Sequence, residues 1–159
     1  MNNDNFYVFC DGSCYNEPGK NTAGWAAVIT KENPLEKEHI IEVKEGWFED
    51  GTNNQAEWQA LIGGLFLVGK YSTFFPDVKF TMISDSELII NQAKGIYRVR
   101  NEELQKLHRQ FQSIMRVLKR QGVVISFKWV RRQENKVADY LSKRINPYYK
   151  TKKLERARR

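Results

Sequence analysis

The apolar residues of this 159-residue chain change period part-way along it, and that change restricts the fold more than any other feature. Residues 6–10, 24–30 and 39–43 are short runs rich in aromatic and β-branched side chains, separated by turn chemistry at 16–21 and around Pro34. Such runs predict three strands in an antiparallel meander, because their connections are too short for a parallel crossover. Trp58, Leu61, Ile62, Leu65 and Val68 then recur at helical spacing and predict a helix over 54–70. Gly63 and Gly64 each cost that helix about 1 kcal/mol against Ala, which implies close packing on the sheet. A strand at 80–83 and a helix at 86–94, stopped by Gly95, follow. Asn101 is placed to cap a long helix with the stripe Leu104, Leu107, Phe111, Ile114 and Leu118. A strand at 123–130 and a helix at 135–143, with Val137 and Leu141 inward, complete the pattern. Strands joined through helices pair in parallel, so the expected class is α/β, a mixed sheet with helices packed on it.

Composition permits this fold and excludes others. At 41% hydrophobic and 13% aromatic the chain can build a core, and a domain of this length buries roughly 70% of its unfolded surface. Cys10 and Cys14 are too close together to close a useful loop, which suits a reducing compartment. No apolar run approaches the roughly 20 residues that span a bilayer, and the start MNNDNF does not read as a leader. The expectation is a soluble, cytoplasmic protein with no membrane partner. The net charge of +7 is unevenly placed: residues 1–90 hold 14 acids and 6 bases, residues 91–142 hold 4 acids and 12 bases, and residues 143–159 hold eight bases and one acid. An acidic front suits the collection of cations, and a basic back suits a polyanion. Pro147 closes the folded part, so the expected organisation is one domain over 1–147 and a flexible basic tail over 148–159.

Four acids fall at the ends of predicted elements. Asp11 follows the first strand, Glu57 opens the first long helix, Asp85 follows the fourth strand and Asp139 lies in the last helix. Carboxylates beyond strand ends can converge, and oxygen ligands without a His or Cys cluster favour Mg²⁺ or Mn²⁺ over zinc. Each is equally readable as a cap or first-turn acid favoured by the helix dipole.

The motifs Asp11-Gly12-Ser13-Cys14, Thr52-Asn53-Asn54-Gln55-Ala56-Glu57, Ser84-Asp85-Ser86 and Asn135-Lys136-Val137-Ala138-Asp139 resemble, in order and spacing, the four active-site motifs of type 1 ribonuclease H. The resemblance covers residues 6–145. It implies a five-stranded mixed sheet, three strands antiparallel and the rest parallel, with helices on both faces. It also implies an endonuclease that hydrolyses the RNA strand of RNA–DNA hybrids with two metal ions, Mg²⁺ with Mn²⁺ as a second option, leaving 5′-phosphate and 3′-hydroxyl ends. Asp11, Glu57, Asp85 and Asp139 map onto the metal ligands. Gly12, Ser13, Cys14, Asn53, Glu57 and Ser86 map onto the RNA minor groove, and Thr52 and Asn54 onto a phosphate of the DNA strand.

The chain departs from the family in three places. The loop Val130-Arg131-Arg132-Gln133-Glu134-Asn135 lacks the usual His, leaving Glu134 or Arg132 as substitutes. The turn after Asp11 reads Asn16-Glu17-Pro18-Gly19 where Asn-Pro-Gly is common, and Glu87 replaces a usual Gln. The segment 95–100 leads straight into the long helix, so this resembles the shorter variant without a basic protrusion. Tyr97, Arg98 and Arg100 then become candidate contacts to the DNA backbone. His108, on a helix, reads as a surface or half-buried side chain. No obligate protein partner is evident, and a monomer is expected. The alternative reading is a family member that binds hybrid or other nucleic acid with weak or no cleavage.

Overall fold

The computed structural model describes residues 5–31, 33 and 37–148. Strands β1 (Asn5–Glu17), β2 (Lys20–Thr30) and β3 (Glu42–Glu49) precede helix α1 (Asn53–Phe74). Strand β4 (Lys79–Ser84), helices α2 (Glu87–Ala93) and α3 (Glu102–Arg120), strand β5 (Val124–Trp129) and helix α4 (Lys136–Arg144) follow. The sheet order is β3-β2-β1-β4-β5. Short connections make β1, β2 and β3 antiparallel, and helical crossovers make β4 and β5 parallel to β1. This is the mixed five-stranded sheet that the change of period implied.

Alternation along β1 divides the core between two faces. Phe6, Val8 and Cys10 join Trp58, Leu61 and Leu65 of α1 and Phe111 and Leu118 of α3, whereas Tyr7 and Phe9 pack with Val130 and Ala138. Ala26 and Val28 of β2 meet Leu141 of α4 on that second face. Helix α1 is buried on almost every side between Ala56 and Val68, since it lies between the sheet and α3. A Cβ on Gly63 would stand 2.3 Å from the Trp25 ring, and one on Gly64 would stand 2.7 Å from Met82 Cε. The two glycines are therefore positions where sheet side chains pack directly against the helix backbone.

Two expectations need correction. Strand β1 does not end before Asp11; it runs to Glu17, and β2 begins at Lys20, so the turn is only Pro18-Gly19. The continuous pairing from Tyr7↔Thr30 to Glu17↔Lys20 extends the hairpin beyond the parallel part of the sheet. The third strand is Glu42–Glu49 in place of 39–43, with a 3-10 turn at Lys37–His39. As an edge strand it carries Glu42, Lys44 and Glu45 and needs no apolar run, whereas Ile40 serves the core from outside it. Of the expected tail over 148–159, all but Tyr148 lies outside the described residues; the Tyr148 N–H donates to Asn146 Oδ1 at 3.0 Å, and Asn146 is bonded to Thr22.

Candidate active site

The parallel strands finish together. Pairing between β1 and β4 ends at Cys10↔Ser84, and that between β4 and β5 ends at Ser84↔Trp129. Asp11 is thus the first residue of β1 without a β4 neighbour, and Asp85 is the first residue past β4. A cleft of about 370 Å³ opens there, beyond the carboxyl ends of the parallel strands, where open α/β sheets place their sites.

Each acid arrives by a separate route. Asp11 is 3% exposed, and its Oδ1 accepts the Gly12 N–H at 3.0 Å. Glu57 comes from the first turns of α1, which lies directly against β1: a Cβ at Gly12 would stand 2.3 Å from the Ala56 carbonyl carbon and 2.4 Å from Glu57 N. Only glycine lets the helix start this close, so the Asp-Gly pair is a packing requirement as well as a motif. Asp85 is fixed from two sides, its carbonyl accepting Trp129 Nε1–H at 3.1 Å and its Oδ2 accepting Asn135 Nδ2–H at 3.3 Å. Ligand oxygens of Asp11, Glu57 and Asp85 all lie within 4.8 Å of one another. Asp139, one turn into α4, lines the same cleft outside that group, with its Oδ2 3.1 Å from Lys143 Nζ.

The electrostatics are those of carboxylates held together with too little compensation to restore their usual titration. Burial, then the neighbouring Glu57 and Asp85, push the Asp11 carboxyl far above the usual range. Burial raises Glu57 too, partly offset by the Asp11 carboxyl, the Gly12 N–H and Ser84. Asp85 is raised by burial and by Asp139, against the pull of Asn135 and Arg132. Glu57 Oε2 is buried with no hydrogen-bond partner. A divalent cation would neutralise this excess charge and occupy that bare oxygen, and an all-oxygen donor set suits Mg²⁺ or Mn²⁺. The residues present therefore fit a hard metal ion.

Gly12, Ser13, Cys14, Asn53, Asn54 and Ser86 line the cleft with the four acids. Ser86 also caps α2, its Oγ accepting Ile89 N–H at 3.3 Å. Thr52 does not line the cleft. It is the exposed N-cap of α1, in a capping box where its Oγ1 accepts Gln55 N–H at 3.2 Å and its own N–H donates to Gln55 Oε1 at 2.8 Å. Glu87 is exposed and outside the cleft, as a first-turn acid of α2. His108 is half-buried, edge-on to Trp58 at 5.2 Å, and far from the role of the absent loop His.

Two cations line the acid cleft beside the four acids. Arg132 comes from the loop before α4, where it is a candidate substitute for the absent His, and Lys143, in the last turn of α4, belongs by sequence to the basic run 143–159. The i, i+4 spacing of Asp139 and Lys143 was the available signal for the second. A separate groove of about 980 Å³ between the end of α2 and α3 is lined by Lys94, Arg98, Arg100, Arg116 and Lys119. Ser86 and Lys94 bracket α2, so about 12 Å of helix separates the acid cleft from this basic groove.

A mixed sheet in this order, with helices on both faces and acids gathered past its parallel strands, defines a ribonuclease H-like domain. Residues 9–145 match the reverse transcriptase-like family, and the chain belongs to it. It is 30% identical over 135 residues to the bifunctional protein Rv2228c of Mycobacterium tuberculosis, covering 85% of this chain and 34% of that protein. The chain thus spans about a third of the length of the curated relatives it matches. Among solved structures it resembles the N-terminal ribonuclease H domain of Rv2228c from the same organism, with a TM-score of 0.70, 25% identity and coverage of 93% of this chain and 97% of that one. It also resembles LC11-RNase H1 in complex with an RNA/DNA hybrid, with a TM-score of 0.68, 28% identity and coverage of 86% and 92%. Among the described residues no helix is long and apolar enough to cross a membrane.

Proposed function

We propose that this domain hydrolyses the RNA strand of RNA–DNA hybrids, using two divalent ions and leaving 5′-phosphate and 3′-hydroxyl ends. The observation that carries the reading is the convergence of Asp11, Glu57 and Asp85 oxygens within 4.8 Å, with Asp139 lining the same cleft. Asp11 would serve both ions, Glu57 and Asp85 would help hold the one on the leaving-group side, and Asp139 would help hold the one that activates the attacking water. Two divalent ions held there would stabilise the attacking and leaving oxygens of an in-line displacement. The rest of the cleft lining would read the substrate. Backbone around Gly12, Ser13 and Cys14, with the side chains of Asn53 and Ser86, would face the RNA strand, where 2′-hydroxyls distinguish RNA from DNA. The basic groove beyond α2 offers five cations to phosphates of the partner strand.

A binder that does not cut is favoured by one observation, the Lys143–Asp139 ion pair, which occupies the fourth acid. Both side chains are part-exposed, and such pairs contribute under about 1 kcal/mol, so Lys143 yields readily to a divalent ion. Incubation with Mg²⁺ of an RNA–DNA hybrid, duplex DNA, duplex RNA and single-stranded RNA of one sequence separates the readings. Cleavage confined to the hybrid supports the proposal, whereas retention of hybrid without products supports the binder.

A further inference from the structure

Asn135 connects the separate routes by which the acids reach the cleft. It is 1% exposed and immediately precedes α4, its carbonyl accepting the Asp139 N–H at 3.1 Å. An Asn in this position ordinarily turns its side-chain oxygen onto the first free N–H groups of the helix. Asn135 makes no such bond. Its Nδ2 instead donates to Cys10 O at 2.9 Å and to Asp85 Oδ2 at 3.3 Å, so both amide hydrogens leave the helix. Exchanging the amide oxygen and nitrogen would set oxygen against a carbonyl and a carboxylate, which fixes the orientation. Asn135 Oδ1 is left buried and without a partner.

We propose that Asn135 is the positioning residue that sets Asp11, Asp85 and Asp139 at the spacing a divalent metal centre requires. One planar group touches the peptide just before Asp11, the carboxylate of Asp85 and, through its backbone, the helix that carries Asp139. Cys10 and Asn135 are 125 residues apart in the chain and Asp85 and Asn135 are 50 apart, so no local preference supplies this connection. Alanine removes both donors. Aspartate keeps the size and offers a helix cap, but faces Cys10 O and Asp85 with an acceptor in place of a donor. The inference rests on the reading of the cleft as a metal centre.

The test uses Mn²⁺ alone as the probe, titrated calorimetrically into the wild type, Asn135→Ala, Asn135→Asp and Asn146→Ala, with hybrid cleavage measured in parallel. Asn146 is the control, being equally buried and bonded to Thr22 away from the cleft. Both Asn135 variants should weaken Mn²⁺ binding roughly 10- to 100-fold and lower kcat more than they raise KM, as removal of groups that orient metal ligands does. Asn146→Ala should lose melting temperature and keep its Mn²⁺ affinity. Either Asn135 variant, folded and within twofold of wild-type Mn²⁺ affinity, overturns the proposal. Failure of both Asn135 variants to fold overturns it too, by assigning Asn135 to folding. A wild type that binds Mn²⁺ without cutting hybrid defeats the proposed activity and leaves the Asn135 comparison intact; one that binds no Mn²⁺ removes the metal centre and this proposal together.

Discussion

At Asp11 burial and charge conflict most directly, and the conflict is measurable. Its carboxyl and that of Glu57 are held far above their unfolded values, near 4. The metal-free folded state therefore binds more protons than the unfolded chain across the window from about pH 4 up through neutral. Stability from these groups is complete below that window and is lost as pH rises through it. Metal-free protein should melt about 2–8 °C lower near pH 8 than near pH 5, and Asp11→Asn should flatten that slope while raising the metal-free melting temperature near pH 8. Calorimetric scans in chelator across pH check both statements, and a slope of the opposite sign would contradict them. Gly12→Ala belongs to the same scale. Its Cβ meets backbone at 2.3 Å, so α1 must shift, costing roughly 1–3 kcal/mol in denaturant titrations and displacing Glu57 from Asp11. The four acids were legible as sequence because each sits in a short motif beside a strand end or helix start. Asn135 was legible only as part of a motif, since its work is done across the fold, and Lys143 was hidden in a run of basic residues.

For the elements, legibility followed burial. Helix α1 and strands β1, β2 and β4 show strong apolar patterns because both faces of the central sheet are covered. Strand β3 was misplaced because an edge strand answers to hydrogen bonding along one side: Ile40 and Ile41 look like strand, yet the ladder with β2 runs from Glu42 to Glu49. The length of β1 was hidden as well, since its extension past Cys10 pairs with β2 alone. Helix starts were legible where the cap is local, as at Asn101, whose Oδ1 accepts Glu103 and Leu104 N–H at 2.9 and 3.1 Å. Thr52 is the cap with a second expected duty. Thr52→Ala should cost about 1 kcal/mol, or about 2–4 °C in melting temperature, and should raise the hybrid KM, whereas Thr52→Ser should preserve both. A KM untouched by alanine would restrict Thr52 to capping.

On the scale of the whole molecule, the fold gathers four acids against two bases at the strand ends and five bases beyond α2. The chain's net +7 adds a basic terminal segment in which residues 149–159 contain six bases and one acid. Removing those residues should raise the hybrid KM and flatten its salt dependence while leaving kcat nearly intact, because phosphate neutralisation sets the salt slope. An unchanged slope would mean that the segment does not touch substrate. The proposed reaction requires acids, metal and RNA strand to meet in one place. Its most direct test is cleavage of a hybrid carrying end-labelled RNA by the wild type and Asp11→Asn, each with Mg²⁺ and with chelator. The prediction is RNA cleavage to 5′-phosphate and 3′-hydroxyl ends by the wild type with Mg²⁺ and in no other arm; equal cleavage by Asp11→Asn, or cleavage in chelator, would contradict it.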